Sequence, residues 1–206
     1  MKPRKTQSQR IDETREKLRS AAFRLLIERG FANFRFAEVS QASGVSRGGM
    51  LHHYPSKDAL VADVLRNLFA ELEDRNAERR EAATDIDRTV KATVASGQDF
   101  FYGKTFPIFI DVWLASHWGN QLPESFEVMN HYHHGLLADF WIDALVERGV
   151  SPDVAARSVR LIWTVLRGIG IRSFGQAAEE HTDEIVALAV ESAERYIAAD
   201  QAGAQG

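Results

Sequence analysis

The sequence predicts an all-α fold of about nine helices. Apolar residues recur at helical period along nearly the whole chain, and the strict alternation that marks a half-buried strand is almost absent. Gly, Pro and Ser/Thr/Asp punctuate these stripes where helices start and stop.

The elements follow in order. From Asp12 to Arg29 the apolar positions Leu18, Ala21, Ala22, Leu25 and Leu26 form one stripe. Gly30 then suits the position just past a helix end, where a positive φ costs glycine little. A short second helix covers about Ala37 to Ser43, with Gly44 as its turn residue. A third begins after Ser46, a good N-cap, and ends before Pro55. Ser56 caps a fourth, with the stripe Leu60, Val64, Leu68 and Leu72, running to about Arg80. A fifth spans Asp85 to Phe101 through Ile86, Val90 and Val94, and a sixth spans Lys104 to Trp118 with Phe106, Phe109 and Trp113 inward. Pro123 suits the first turn of a long helix that carries Phe126, Met129, His133, Leu137, Phe140 and Ala144 on one side and closes at Gly149. Ser151-Pro152-Asp153 opens a helix with Val159, Ile162, Trp163 and Leu166, leading toward Phe174. Thr182-Asp183-Glu184 opens the last, with the stripe Ile185, Leu188, Ser192 and Tyr196, and the tail after Asp200 reads as frayed.

The chain has 206 residues and a net charge of −4, which by itself argues against nucleic acid. The distribution argues the other way. Residues 1–57 hold twelve Lys or Arg against five Asp or Glu, a net of +7. The remainder holds thirteen against twenty-four, a net of −11. A basic head on an acidic body is expected where only the head meets phosphate, although a solubilising basic tail has the same composition. There are no cysteines, so disulfides, thiolate metal sites and cysteine nucleophiles are excluded. No apolar run approaches the roughly 18 residues of a membrane span. The basic stretch Met1–Arg10 lacks the apolar core of a signal peptide, so a cytoplasmic protein with no membrane partner is the expectation.

The second and third helices, joined by a tight glycine turn, describe a helix-turn-helix at about residues 35–54. The third reads Ser46-Arg47-Gly48-Gly49-Met50-Leu51-His52-His53-Tyr54. Two successive glycines cost about 1 kcal/mol each against alanine inside a helix. Close approach of the backbone to DNA is one compensation; a poorly formed helix, hence a loop, is the competing reading.

The run Gly44-Val45-Ser46-Arg47-Gly48-Gly49-Met50-Leu51-His52-His53-Tyr54-Pro55-Ser56-Lys57-Asp58-Ala59-Leu60 resembles the signature of the TetR family of one-component bacterial regulators, approximately G-V-S-x-G-x-L-Y-x-H-F-x-x-K-E-x-L. Ala21, Ala22, Leu25, Gly30-Phe31 and Glu38-Val39 also sit where that family has its first-helix alanines, its G-[FY] and its [DE]-I. The resemblance covers residues 12–72 and implies a DNA-binding domain there, with residues 73–200 forming a helical effector-binding and dimerisation domain. It implies that Ser46 caps the recognition helix and touches phosphate. Arg47, Gly48 and Gly49 would face bases or backbone, His52 and His53 would lie near phosphate, and Lys57 would contact the DNA backbone. Met50 and Tyr54 would be packing residues. Two departures stand out. Leu51 replaces a tyrosine that commonly reaches a phosphate, and Phe34-Arg35 replaces a Thr-Thr pair that caps the second helix. Arg35 is a candidate substitute phosphate contact.

For the C-terminal part the family implies a ligand pocket and a dimer interface. Aromatic residues crowd Phe100 to Trp141, as they would in a core or around an apolar pocket with a few polar groups. The candidate effector residues are Phe101, Phe106, Phe109, Trp113, His117, Phe140, Trp163 and Arg167. Arg167, like Arg160 and Arg172, suits either an anionic effector or an acid of the same fold. The last two helices, with Gly168 and Gly170 permitting close approach, are expected to form a four-helix bundle with a twofold mate. His117, His131, His133 and His134 lack the help of further ligands that zinc needs, so no metal site is predicted, and no cofactor. No nucleophile elbow, phosphate loop or HExxH motif is present, so no enzyme is predicted. The expectation is a homodimeric repressor that binds a palindromic operator in double-stranded DNA and is released by a small-molecule effector. An activator or dual regulator on the same scaffold is an alternative, as is a small-molecule binding protein with weakened DNA contacts.

Overall fold

The structure is a computed structural model that describes residues 6–118, 136–172 and 181–203. Among the described residues it consists of nine α-helices and no strands. These are α1 (Gln7–Asn33), α2 (Phe36–Ser43), α3 (Arg47–His53), α4 (Lys57–Ala82), α5 (Ile86–Phe101), α6 (Thr105–Trp118), α7 (Leu136–Val146), α8 (Pro152–Arg172) and α9 (Thr182–Gly203). Two compact units result: Met1–Phe69 with Pro107–Asn130, and Ala70–Phe106 with His131–Gly206.

In the first unit, α1 starts five residues before the expected Asp12. Thr6 and Gln9 form a capping box there, with Thr6 Oγ1 accepting from the Gln9 amide at 3.2 Å and Gln9 Oε1 accepting from the Thr6 amide at 2.9 Å. The helix breaks at Gly30, whose φ of 70° and ψ of 169° are foreign to a helix and nearly confined to glycine. The Phe31 amide freed by that break donates to the carboxylate of Asp111 on α6. Leu18, Ala21, Ala22, Leu25 and Leu26 are all buried, as their stripe requires, together with Val39, Met50, Leu60 and Phe69. Phe69 meets Phe109 edge to face at 5.9 Å.

In the second unit α8 is central, packed on α5, α7 and α9. Its contact with α5 is close enough that a Cβ on Gly97 would lie 2.5 Å from Leu166 Cδ1, and one on Gly170 would lie 2.6 Å from the Phe101 carbonyl oxygen. The close approach at Gly170 is thus taken up within the chain, while Gly168 faces open space. The buried side of α5 is small and polar rather than the Ile86–Val90–Val94 stripe alone. Thr89 and Thr93 are buried with their hydroxyls donating to the carbonyls four residues earlier, at 2.7 and 2.8 Å.

The inward face of α9 is Val186, Ala189, Ala193 and Ile197; the stripe Ile185, Leu188 and Tyr196 is on the outer face. On α7 the core aromatic is Trp141, fully buried, and Phe140 is half-buried. After Asp200 the chain stays helical to the last described residue, Gly203. The Asp200 carboxylate accepts from the Ser151 amide at 2.8 Å and the Ser151 hydroxyl at 2.7 Å, and Gln201 Nε2 donates to the Gly149 carbonyl at 2.7 Å. Those bonds carry the helix to Gly203. The first part of the helix expected from Pro123, with Phe126, Met129, His131, His133 and His134, lies outside the described residues, as does Phe174.

Candidate nucleic-acid interface

The turn between α2 and α3 is built from glycine and three hydroxyls. Gly44 adopts φ 70° and ψ 13°, the left-handed conformation that ends α2. Ser40 Oγ donates to the Val45 carbonyl at 2.6 Å, and Ser43 Oγ accepts from the Val45 amide at 3.2 Å. Ser46 then caps α3, its Oγ accepting from the Gly49 amide at 3.2 Å. The stretch forms a helix despite its glycine pair. Where the second helix begins, Arg35 makes no side-chain cap, in keeping with the loss of threonine there.

One face of α3 is anchored. Met50 and Tyr54 are buried, and the Tyr54 hydroxyl donates to Asp63 Oδ2 at 2.6 Å. Burial, and then the Asp63 hydrogen bond, push that phenol well above its ordinary range, so it stays protonated and works as a tether. Asp63 also holds Arg66 at 3.0 Å and Arg19 at 3.5 Å, which ties α3 to α1 and α4.

The other face is open. Arg35, Ser46, Arg47, Gly48, Leu51 and His52 are exposed, and Gly49 and His53 are half-buried. A Cβ on Gly48 would meet nothing within 4 Å, so the backbone there is bare; one on Gly49 would meet Ser46 Oγ at 3.2 Å and Val45 Cγ1 at 3.3 Å. Among the described residues Arg35 and Arg47 have no ion-pair partner. The rings of His52 and His53 meet edge to face at 5.5 Å. Burial, then the neighbouring His52 and Arg15, lower the pKa of His53 and favour its neutral form.

Lys57 is placed differently from a lysine reaching into solvent. Its Nζ donates to the Phe31 carbonyl at 2.7 Å and lies 3.9 Å from the centre of the Phe31 ring. Partial burial lowers its pKa, against the pull of Asp58 and Asp111. Phe31, just past the kink at Gly30, therefore has its amide held by Asp111 and its carbonyl held by Lys57. Sequence spacing had no means of pairing positions so far apart.

The candidate effector residues divide between the two units. Phe101, Phe106 and Trp163 are buried together in the second, with ring centres 5.0 Å (Phe101–Phe106) and 5.5 Å (Phe101–Trp163) apart. The Arg167 guanidinium lies 5.5 Å from the Phe101 ring. Phe109 and Trp113 belong to the first unit. The side chain of His117 lies outside the described residues. Phe140 lines a cavity of about 510 Å³ with Leu137, Ala77, Asn76 and the acids Glu73, Asp74, Asp139 and Asp143. Of these, Phe140 is a sequence candidate, whereas the α4 residues and the acids carry no aromatic signal. The carboxylates Asp139 and Asp143, one helical turn apart, were the available signal.

Comparison with known proteins matches residues 18–64 to the bacterial regulatory proteins of the tetR family. The HTH-type transcriptional regulator CymR of Pseudomonas putida is 32% identical over 194 residues, covering 94% of this chain and 96% of that protein. The chain belongs to the TetR family. Like its relatives, this TetR-family protein is a DNA-binding transcriptional regulator rather than an enzyme. BetI of Stenotrophomonas maltophilia is 28% identical over 105 residues, 50% of this chain and 54% of that protein. Among solved structures, a TetR-family regulator from Mesorhizobium loti superposes with a TM-score of 0.71 at 14% identity, covering 95% of this chain and 98% of its own. A regulator from Saccharomonospora viridis in complex with choline gives 0.69 at 18% identity, covering 89% and 96%. Among the described residues no helix is long and apolar enough to cross a membrane.

Proposed function

We propose that this TetR-family regulator is a repressor that binds a palindromic operator as a homodimer and leaves it when a small molecule binds. The observation that carries the reading is the division of α3 into a face anchored by Met50 and Tyr54 and a face of Arg47, Gly48, Leu51 and His52 open to solvent. A helix fixed on one side and bare on the other is what a major groove about 12 Å wide admits. On this reading Ser46, Arg35 and His53 are phosphate contacts, and Lys57 has two ammonium donors left for phosphate beside the one it gives to the Phe31 carbonyl. Residues 12–72 are the DNA-binding domain on this reading, and residues 73–200 the effector and dimer domain.

Dimerisation is supported by the outer face of α8 and α9. Leu161, Ile185, Leu188 and Tyr196 are exposed there, Leu188 at 66%. A second copy related by a twofold axis would cover them, and a palindrome read by such a pair has half-sites about 34–36 Å apart. An effector is supported by the cavity beside Phe140, whose size falls within the range of ligand sites. The choline held by the S. viridis regulator supports the same role for the fold. Such an effector acts by binding one dimer shape better than the other.

Fluorescence anisotropy on labelled duplexes at several salt concentrations tests the DNA contacts. Lys57→Ala is expected to weaken binding to all sequences and to reduce the salt slope by about 1 per lysine removed. Arg47→Ala is expected to change the ranking of sequences. Equal affinities and slopes for both variants and the wild type would overturn the assignments.

A further inference from the structure

Leu51 is a large apolar side chain, 44% exposed, on the open face of a helix that has only seven residues. It lies one turn from Gly48, and both are exposed where Met50 and Tyr54 are buried. The missing Cβ at Gly48 leaves open space, so the α3 backbone beside Leu51 is free to come closer to a surface than any other residue there would allow. Arg47, also one turn away and without an ion-pair partner among the described residues, adds a charge next to the leucine. The ensemble is an apolar finger beside bare backbone, flanked by the Arg47 guanidinium.

Of the groups that base edges present in the major groove, only the thymine 5-methyl is apolar; the others are donors or acceptors that a leucine would leave unsatisfied. We propose that Leu51 is a specificity-determining residue that reads a thymine 5-methyl group in each half-site, with Gly48 supplying the close approach. This rests on the proposed binding of operator DNA by α3. It also gives a role to the position where the tyrosine hydroxyl of the family pattern is absent: the contact is replaced by one of a different kind.

The test uses the duplex that the full-length protein enriches from a random pool. Each thymine is replaced in turn by deoxyuridine, which removes the methyl group alone, and Kd is measured for wild type and Leu51→Ala. At one thymine per half-site, deoxyuridine is expected to weaken wild-type binding about fourfold, and about fifteenfold when both half-sites are changed, the effect of one buried methyl and of two. Leu51→Ala is expected to bind both duplexes equally. Leu51→Met keeps an apolar tip and is expected to keep the methyl dependence. Cytosine at that position weakens wild-type binding, and 5-methylcytosine recovers part of the loss. An enriched duplex whose methyl groups matter equally to wild type and Leu51→Ala overturns the Leu51 assignment alone. A pool with no enriched duplex overturns the DNA reading and this assignment together.

Discussion

Replacing Gly30 by alanine perturbs the point where α1, α6 and the start of α4 meet. The φ of 70° with ψ of 169° is a nearly glycine-only conformation, and a side chain held there costs about 1–3 kcal/mol. The new Cβ would lie 2.9 Å from Asp111 Oδ2, closer than such contacts allow, so the carboxylate must move. Moving it breaks its bond with the Phe31 amide, and a hydrogen bond to a charged group contributes about 1.5–3 kcal/mol. Together these give a loss of roughly 2.5–6 kcal/mol, or a fall in melting temperature of roughly 5–24 °C for a chain of this size. Thermal unfolding followed by circular dichroism measures it. Gly44→Ala is the control, because Gly44 is also at φ 70° but has nothing within 4 Å of a Cβ; it is expected to lose only about 1–2 kcal/mol. The double variant Gly30→Ala/Asp111→Ala should lose less than the two single variants summed, since both remove the same bond. If Gly30→Ala is no more destabilising than Gly44→Ala, the reasoning about the Asp111 contact is refuted.

Further expectations concern the titrating groups and the outer face. His53 has a folded pKa below its ordinary 6.5, so its contribution to stability is present above about pH 6.5 and lost as pH falls through the lower folded value. The melting temperature of His53→Gln should therefore fall less than that of wild type as pH drops below about 6.5, and parallel profiles would contradict it. Asp200 is held below the usual carboxylate range by the Ser151 amide and hydroxyl, so its contribution is present above about pH 4 and lost below. Asp200→Asn should melt lower than wild type at neutral pH and converge with it in acid. Leu188→Glu should shift the sedimentation of the protein toward monomer. Two leucines lose burial in a twofold interface, about 3–6 kcal/mol in all, and an unchanged dimer would place the interface elsewhere.

Local signals in the sequence were enough for α1 through α4. Gly30 and Gly44 both take the positive φ that their positions past a helix end imply, and Ser46 caps the helix it precedes. What local signals left out is set by contacts over distance. Lys57 lies against Phe31, and Asp111 against the same residue from 80 positions away. No periodicity links such positions. On α9 the difficulty was different. The helix carries apolar residues on two faces, and the larger side chains of the outer stripe outweigh the small Ala189 and Ala193 that pack inward. A pattern that counts size takes the outer face for the core, whereas close helix packing favours the small residues. In the C-terminal part Phe101, Phe106 and Trp163 are core rings, whereas the cavity beside Phe140 is bordered by carboxylates.

Selection of bound duplexes from a random pool, with the purified full-length protein at near-physiological salt, tests the central claim most directly. An enriched palindrome, with half-sites about one helical turn of DNA apart, is the result the account predicts. Weak, salt-sensitive binding with no enriched sequence would contradict it.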